Sequence, residues 1–488
     1  MIRAISCTVA VLAVAACEAA PTGPAATSAP IPASLCSVGS PGAADPTIPA
    51  AEKTFESGAT YSGQFKDGKQ DGIGVYVAPD GYRYEGEWSA GVIQGNGRAE
   101  FPSGSIYTGA FRAGKPWGCG SITYANGGTY HGEWVDGVIE GEGKAVYPNG
   151  MTYVGAFRDS AHHGFGVMTR ENGYRYQGQW RNGEQSGQGE VQYPDRAFFK
   201  GSFADGKRDG TGTITLPDGF TYTGEWEDGQ ITGRGVAVYA NGDKYDGLFR
   251  DGNRHGAGVA TYASGDVYEG DFRNGERHGS GRFSANDGYV YDGDWMEGRI
   301  EGSGVATYPN GSVYAGEFIN GTAQGTGKIT YADGGTYEGA WLKGVISGKG
   351  VAKYANGSVY EGSFVDAKFH GDGTMTYEDG HVYVGSWADG EHSGAGKITY
   401  PDGSVYDGQF VDGKRQGRGV LRLPDGFRYT GDWREGEIHG QGEARYANGD
   451  VYRGAFQNGR QHGRGRMAFA NGTVREGVWR DGSFAGAS

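Results

Sequence analysis

Six of the ten histidines, His163, His255, His278, His370, His439 and His462, share one position of a repeating unit, directly before a glycine. A row of imidazoles could hold a line of metal ions. Asp, Gln, Ser or Thr takes the same place in other repeats, however, and no second ligand recurs beside it, so the reading is a polar hairpin-loop position. Carboxylates such as Glu87, Glu133 and Glu225 recur in the same way, and with no partner to form an acid–base pair they read as a solubilised face. The recurring Gly-x-Gly is neither a dinucleotide fingerprint nor a phosphate loop, because no helix follows to offer its N-terminus. No catalytic residue, metal or cofactor is predicted. The repeats run to the end of the chain and leave no stretch for a catalytic domain, so the expectation is a non-enzyme.

The elements that carry these residues are set by an unusual composition. Of 488 residues 96 are glycine, and aromatic residues reach 13% although apolar residues are only 37%, so buried surface must come from rings rather than aliphatic layers. Glycine does not recur every third residue, which excludes collagen. The net charge of -14 argues against a nucleic-acid partner and against electrostatic adsorption to anionic lipid. A local exception is the C-terminal end, where Arg453, Arg460, Arg464, Arg466, Arg475 and Arg480 cluster, read as a solvated cap.

From Tyr61 the chain repeats every 23 residues without insertion or deletion, through Tyr84, Tyr107, Tyr130 and onward to Tyr452 and Arg475, giving 19 repeats. With this aromatic as position 0, glycine fills positions +2 and +11 throughout and +7, +13 and +20 nearly throughout; these five phases hold 90 of the 96 glycines. Position +4 is always Phe or Trp, and +17 is usually Tyr. The unit seen intact from Tyr130-His131-Gly132-Glu133-Trp134 through Gly141-Glu142-Gly143 to Asn149-Gly150 resembles the MORN repeat (membrane occupation and recognition nexus). The resemblance covers residues 61 to 488, with local departures at Ser160, Ala367, Arg196 and Arg475. It implies membrane contact, phosphoinositide binding in some members, and dimer formation.

The residues lead to the same fold. Two short aromatic or β-branched runs per unit, punctuated by glycine, make a helix untenable and each unit a β-hairpin. Sequences such as Pro217-Asp218-Gly219 and Ala355-Asn356-Gly357 suit a type I turn closed by a left-handed glycine bulge, which places +15, +17 and the next position 0 on one face. The fold class is therefore all-β: an elongated array of about 19 antiparallel hairpins of 23 residues, forming one long twisted single-layer sheet. Its interaction face is a row of rings exemplified by Tyr61, Phe65, Tyr84, Trp88, Tyr130, Trp134, Tyr222, Trp226, Tyr337, Trp341, Tyr429 and Trp433. A single layer is expected to leave this row partly open as an apolar stripe.

A second period lies inside the first. Phe and Trp alternate at +4, slipping once at Phe249 and Phe272, and the block from Gly206 to Trp226 recurs nine repeats later at Gly413 to Trp433. Where +4 is Trp88, Trp134, Trp226, Trp295, Trp341 or Trp433, +9 is isoleucine and +15 alanine; where it is Phe, +15 is usually larger and +9 usually polar, with Phe249 and Ala260 as the exception. Conserved volume across one hairpin explains this, with Trp226, Ile231 and Ala237 as a packing unit.

Residues 1–16 read as a signal peptide, charged at Arg3 and with an apolar run too short to span a bilayer. They end in Val14-Ala15-Ala16-Cys17, which resembles the lipobox of bacterial lipoproteins and implies acylation of Cys17. Residues 17–54, rich in Pro and Ala, read as a lipid-anchored tether, and residues 55–488 as the array. Cys7 leaves with the signal, Cys17 carries lipid, and Cys36 and Cys119 fall in tether and repeat, so no disulfide framework is predicted. The functional expectation is an exported, membrane-anchored scaffold of a bacterial cell envelope that binds a protein partner or a second copy of itself. A glycan or cell-wall binder and direct lipid binding by the repeats are the alternatives. Rings open to solvent at +4 would favour the glycan reading, and packed rings would oppose it.

Overall fold

The computed structural model describes residues 35–487. Cys17 and the signal peptide lie outside the described residues. Among these residues there are 39 strands, each antiparallel to its sequence neighbour within its own unit, and no helix. The described residues fall into two units, divided between Ala240 and Asn241. The first carries strands β1 (Ala50–Thr54) to β17 (Gln230–Val238), and the second β18 (Lys244–Arg250) to β39 (Ser483–Gly486).

Every repeat folds in the same way, as β16 (Thr221–Glu227) and β17 show. Trp226 faces Ile231 and Glu227 faces Gln230 across a two-residue turn, Asp228-Gly229, in which both residues have positive φ (49° and 86°). That is the mirror-image turn whose twist matches paired strands. Glycine at +7 belongs there because its φ lies in the left-handed region. Ser160 and Ala367 stand at this place with φ of 64° and 60°, and Arg196, replacing a +20 glycine, has φ 73°. The three departures from the glycine pattern are thus sites of stored backbone strain.

The turn between repeats is the expected bulged one. The Gly219 amide donates to the Leu216 carbonyl (3.1 Å), the Leu216 amide donates to Phe220 (2.8 Å), and Gly219 has φ 94°. Ile214 consequently sits opposite Tyr222, on the face shared with the aromatic row. Adjacent mirror-image turns are stitched together as well, the +7 amide donating to the preceding repeat's +9 carbonyl, as from Gly137 to Pro116 at 2.9 Å.

Two expectations from the sequence are corrected at the N-terminus. Cys36 and Cys119 form a disulfide, and the supposed tether is docked over much of its length. Residues 50–54 pair with β2 (Thr60–Lys66), and Phe55 and Gly58 close the same bulged turn as later repeats, so the array begins half a repeat early. Residues 36–48 then run as a strap across the polar face. Gln64 donates to the Ile48 carbonyl (3.1 Å), Glu87 accepts from the Gly42 amide (2.8 Å), and His131 meets the Cys36 carbonyl (3.0 Å). Composition suggested a free chain because a strap held by side-chain hydrogen bonds and one disulfide needs almost no apolar residues.

Candidate interaction face

The inner face is built on glycine pairs. Gly132 and Gly143 stand opposite each other, as +2 and +13 do throughout, and the ring of Tyr130 lies over both: a Cβ on Gly143 would come within 2.4 Å of the Tyr130 ring. The hydroxyl reaches past the glycines to donate to the +3 carbonyl, at 3.1 Å for Tyr130 and 2.8 Å for Tyr176. Within each unit every such ring meets its own +4 ring and that of the next repeat edge-on. Tyr130 is 5.5 Å from Trp134 and 5.1 Å from Phe157, with interplanar angles of 80° and 83°. The +4 indoles, Trp433 excepted, donate backward to the +13 carbonyl of the preceding repeat, Trp134 to Gly120 at 3.3 Å and Trp295 to Gly281 at 2.9 Å. The sheet closes its apolar face with its own rings, each shielded by two neighbours and a glycine floor.

The predicted face residues are accordingly core. Tyr61, Tyr84, Tyr130, Tyr222, Tyr337 and Tyr429 are buried, as are Trp88, Trp134, Trp226, Trp341 and Trp433, none more than 8% exposed; Phe65 is half-buried. Burial pushes the phenols up, Tyr222 and Tyr337 to about 12. The expected open stripe at positions 0 and +4 does not exist. With it goes the feature on which the glycan reading rested.

Position +9 roofs this row. His162 stacks on Tyr153 at 3.8 Å and 18°, Phe369 on Tyr360 at 4.0 Å and 25°, and His392 on Tyr383 at 3.7 Å and 13°. Arg208 lies 4.2 Å over Trp226 and donates to the Gly229 carbonyl (2.8 Å); Arg277 does the same to Trp295 (4.2 Å) and Gly298 (3.0 Å). Burial holds the His162 and His392 imidazoles low, at about 4. Polar +9 residues also reach the +17 tyrosines, Tyr147 to His162 at 2.7 Å and Tyr446 to Gln461 at 2.9 Å.

The accessible aromatics of this face are chiefly the +17 residues and their +21 neighbours. They form a tilted second row, with Tyr82 5.7 Å from Phe101 and Tyr289 5.9 Å from Tyr308, and Tyr331 and Tyr354 are 39% and 44% exposed. Over three repeats Phe101, Tyr124 and Tyr147 join Pro116, Ile139 and Pro148 around an open groove of about 630 Å³. The sequence did mark +17 by its phased tyrosines, but without burial nothing distinguished this row from the deeper one.

The histidines at +10 do not assemble. Their position is a stitch, as where Glu140 accepts the Asp159 amide and Gln324 the Lys343 amide, both at 2.9 Å. Among the described residues Cys36, Cys119 and His131 are the three metal-type donors brought together, with both cysteines committed to the disulfide. Of the singled-out carboxylates, Glu87 holds the strap, Glu225 accepts the Arg234 amide (3.2 Å), and Glu133 packs over Gly141.

No curated protein is significantly similar to the chain. Among solved structures, the TCP domain of SAS-4 of Drosophila melanogaster, in complex with a proline-rich motif of Ana2, is 16% identical over 32% of this chain and 85% of its own, with a TM-score of 0.22. The wild-type TCP10 domain of Danio rerio CPAP is 16% identical over 50% of this chain and 96% of its own, at 0.15. Virginiamycin B lyase of Staphylococcus aureus is 10% identical over 49% and 89%, at 0.12. Scores this low leave identification to the repeats themselves. The model of the MORN repeat matches 18 times in register, from residues 61–81 to 452–474. Each match spans one buried ring, one glycine pair and one mirror-image turn, and by these the chain belongs to the MORN repeat family.

Proposed function

We propose that this MORN repeat chain is a non-catalytic scaffold of the cell envelope, exported, anchored through an acylated Cys17, and engaging a protein partner along the tyrosine row of its inner face. The observation that carries the partner reading is the groove lined by Phe101, Tyr124 and Tyr147. Half-buried aromatic side chains are the residues that protein interfaces favour. Export draws support from the Cys36–Cys119 disulfide, since such bonds persist in oxidising compartments. A second copy of the chain is one candidate partner. Direct lipid binding is opposed by the repeats from Tyr61 onward, which carry 42 basic against 54 acidic side chains.

A photo-crosslinking residue at Tyr124 or Tyr147, compared in the native host with one at Thr213 on the polar face, tests the partner. A discrete adduct from the tyrosine positions alone is expected; equal adducts from both faces, or none, would refute the reading. Sedimentation across a wide concentration range decides whether the adduct is a second copy. Mass spectrometry of the mature N-terminus tests the anchor. An unmodified start at Ala16 or later would remove the lipid, and a retained Met1 would remove export.

A further inference from the structure

The strap shows what the polar face can hold. Residues 36–48 cross from β2 past β4 (Arg83–Ser89) and β5 (Val92–Glu100) to β7 (Lys115–Thr123) and β8 (Thr129–Val135). They touch the sheet at Gln64 and Glu87 (position +3), Asn96 and Cys119 (+12) and His131 (+1). The strap's backbone does the recognising: carbonyls of Cys36 and Ile48 and the amide of Gly42 bond side chains of the sheet. Contact is close at Gly39, where a Cβ would come within 2.7 Å of the Asn96 side-chain amide and push it aside, so a small residue fits there at least cost.

Two of these three positions, +1 and +12, recur uncovered in the second unit. A groove of about 900 Å³ runs over the backbone of Gly327, Gly339, Gly350 and Gly362, flanked by Glu338 and Glu361 at +1 and by Thr326, Lys349 and Asp372 at +12. A second groove repeats these phases, with Thr430 and Arg453 at +1 and Arg418 and Gln441 at +12. The first groove has no dominant charge: Lys328 pairs with Glu338 at 3.4 Å, and Lys349 stands among Glu361 and Asp372. The strap has a single ionised residue, Asp45, whose carboxylate is occupied by Thr47 at 2.6 Å.

We infer that the polar face is a track for extended chain, and that the groove over Thr326, Lys349 and Asp372 binds an uncharged glycine-, alanine-, serine- and proline-rich segment of another protein in the way the first repeats bind residues 36–48. Recognition is by side chains of the sheet bonding the backbone of the segment, with small side chains permitting close approach. The track lies on the opposite face from the tyrosine row, so one scaffold can hold two partners at once.

A fluorescent peptide with the sequence of residues 34–50, Cys36→Ser, is titrated onto the intact oxidised chain, in which the strap already covers the first repeats. Saturable binding is expected. Thr326→Trp and Lys349→Trp, two exposed substitutions made separately, are each expected to weaken it about tenfold while the circular dichroism spectrum stays that of the parent. Absence of saturable binding, or equal affinity for parent and both variants, overturns the inference. Binding that arises only after reduction of the disulfide and ignores both tryptophans also overturns it, confining the track to the first repeats. Tighter binding of a lysine- or glutamate-substituted peptide overturns the uncharged chemistry.

Discussion

Placing alanine at Gly143 tests whether the glycine pairs exist to seat the rings. Gly143 has no left-handed φ, so the substitution adds no backbone strain, only a methyl 2.4 Å from Cε2 and Oη of Tyr130. Ordinary contact begins about 1 Å farther out. The ring cannot slide, because Trp134 and Phe157 hold its two edges, and lifting it breaks the hydroxyl's bond to the Glu133 carbonyl. Loss of that bond, about 1 kcal/mol, with loss of two edge contacts of about 0.5–1.5 kcal/mol each, gives an expected destabilisation of about 2–4 kcal/mol. Gly127→Ala is the control: its φ is +86° and nothing lies within 4 Å, so its penalty is backbone strain alone, about 1–2 kcal/mol. Repeat arrays open locally, so the readout is amide exchange in β8 and β9 (Val138–Val146). Removing the ring with Tyr130→Ala should abolish most of the Gly143→Ala penalty and leave that of Gly127→Ala unchanged. Additivity of Gly143→Ala with Tyr130→Ala would refute the seating argument.

Ala367→Gly should stabilise the second unit by about 1 kcal/mol, because Ala367 is held at φ 60° where other repeats have glycine; local exchange or a thermal melt reads this, and no gain would remove the strain. Arg277→Ala should cost about 1–2 kcal/mol, nearly independent of salt, since the guanidinium acts through the Trp295 ring and the Gly298 carbonyl rather than an exposed ion pair; a penalty that vanishes in high salt would contradict it. His162 and His392 have folded pKa values near 4 against an unfolded 6.5. Between these values the unfolded chain binds more protons, so stability is full above pH 6.5 and falls as pH drops toward 4. His162→Phe, copying Phe369, should flatten the local pH dependence around Tyr153, and an unchanged slope would show that other groups carry it.

How much was legible follows from which contacts obey the period. The hairpin, the bulged turn at Pro217-Asp218-Gly219 and the face shared by Ile214 and Tyr222 are set within a few residues, and glycine, proline and strand alternation encode them directly. The burial of the aromatic row was misjudged because single-layer sheets ordinarily leave a face open. Here the missing side chains at +2 and +13 let each ring lie flat, which turns a stripe into a core one ring thick. The strap was invisible for the opposite reason: its own residues follow no period, and its partners, Gln64, Glu87, Cys119 and His131, are spread over four repeats and share no single position in the unit.

The covariation of large and small residues was real but assigned to the wrong neighbours. Trp226 does face Ile231, yet Ala237 faces Tyr222, and beyond Ile231 and Tyr222 the tryptophan's contacts are with the preceding repeat: Phe199 at 5.2 Å, Arg208 and the Gly212 carbonyl. While Phe and Trp alternate, a rule within one repeat and a rule between successive repeats predict the same residues, so the sequence cannot separate them except where the alternation slips. At the slip the within-repeat rule fails, because Phe249 is followed by the small Ala260. The between-repeat rule holds there: the next +4 residue is Phe272, not Trp, and a small +15 residue usually precedes Phe elsewhere, as Ala99 precedes Phe111 and Ala145 precedes Phe157, with Val191 before Phe203 and Ile398 before Phe410 as exceptions. Phe283 then precedes Trp295 and touches it at 6.3 Å, as Tyr76 touches Trp88 at 6.1 Å. The 46-residue pair is thus a unit of packing because each repeat completes the core of the one before it. A tryptophan moved by one repeat would meet a large +15 residue or a void according to its neighbour's sequence, whatever its own repeat contained.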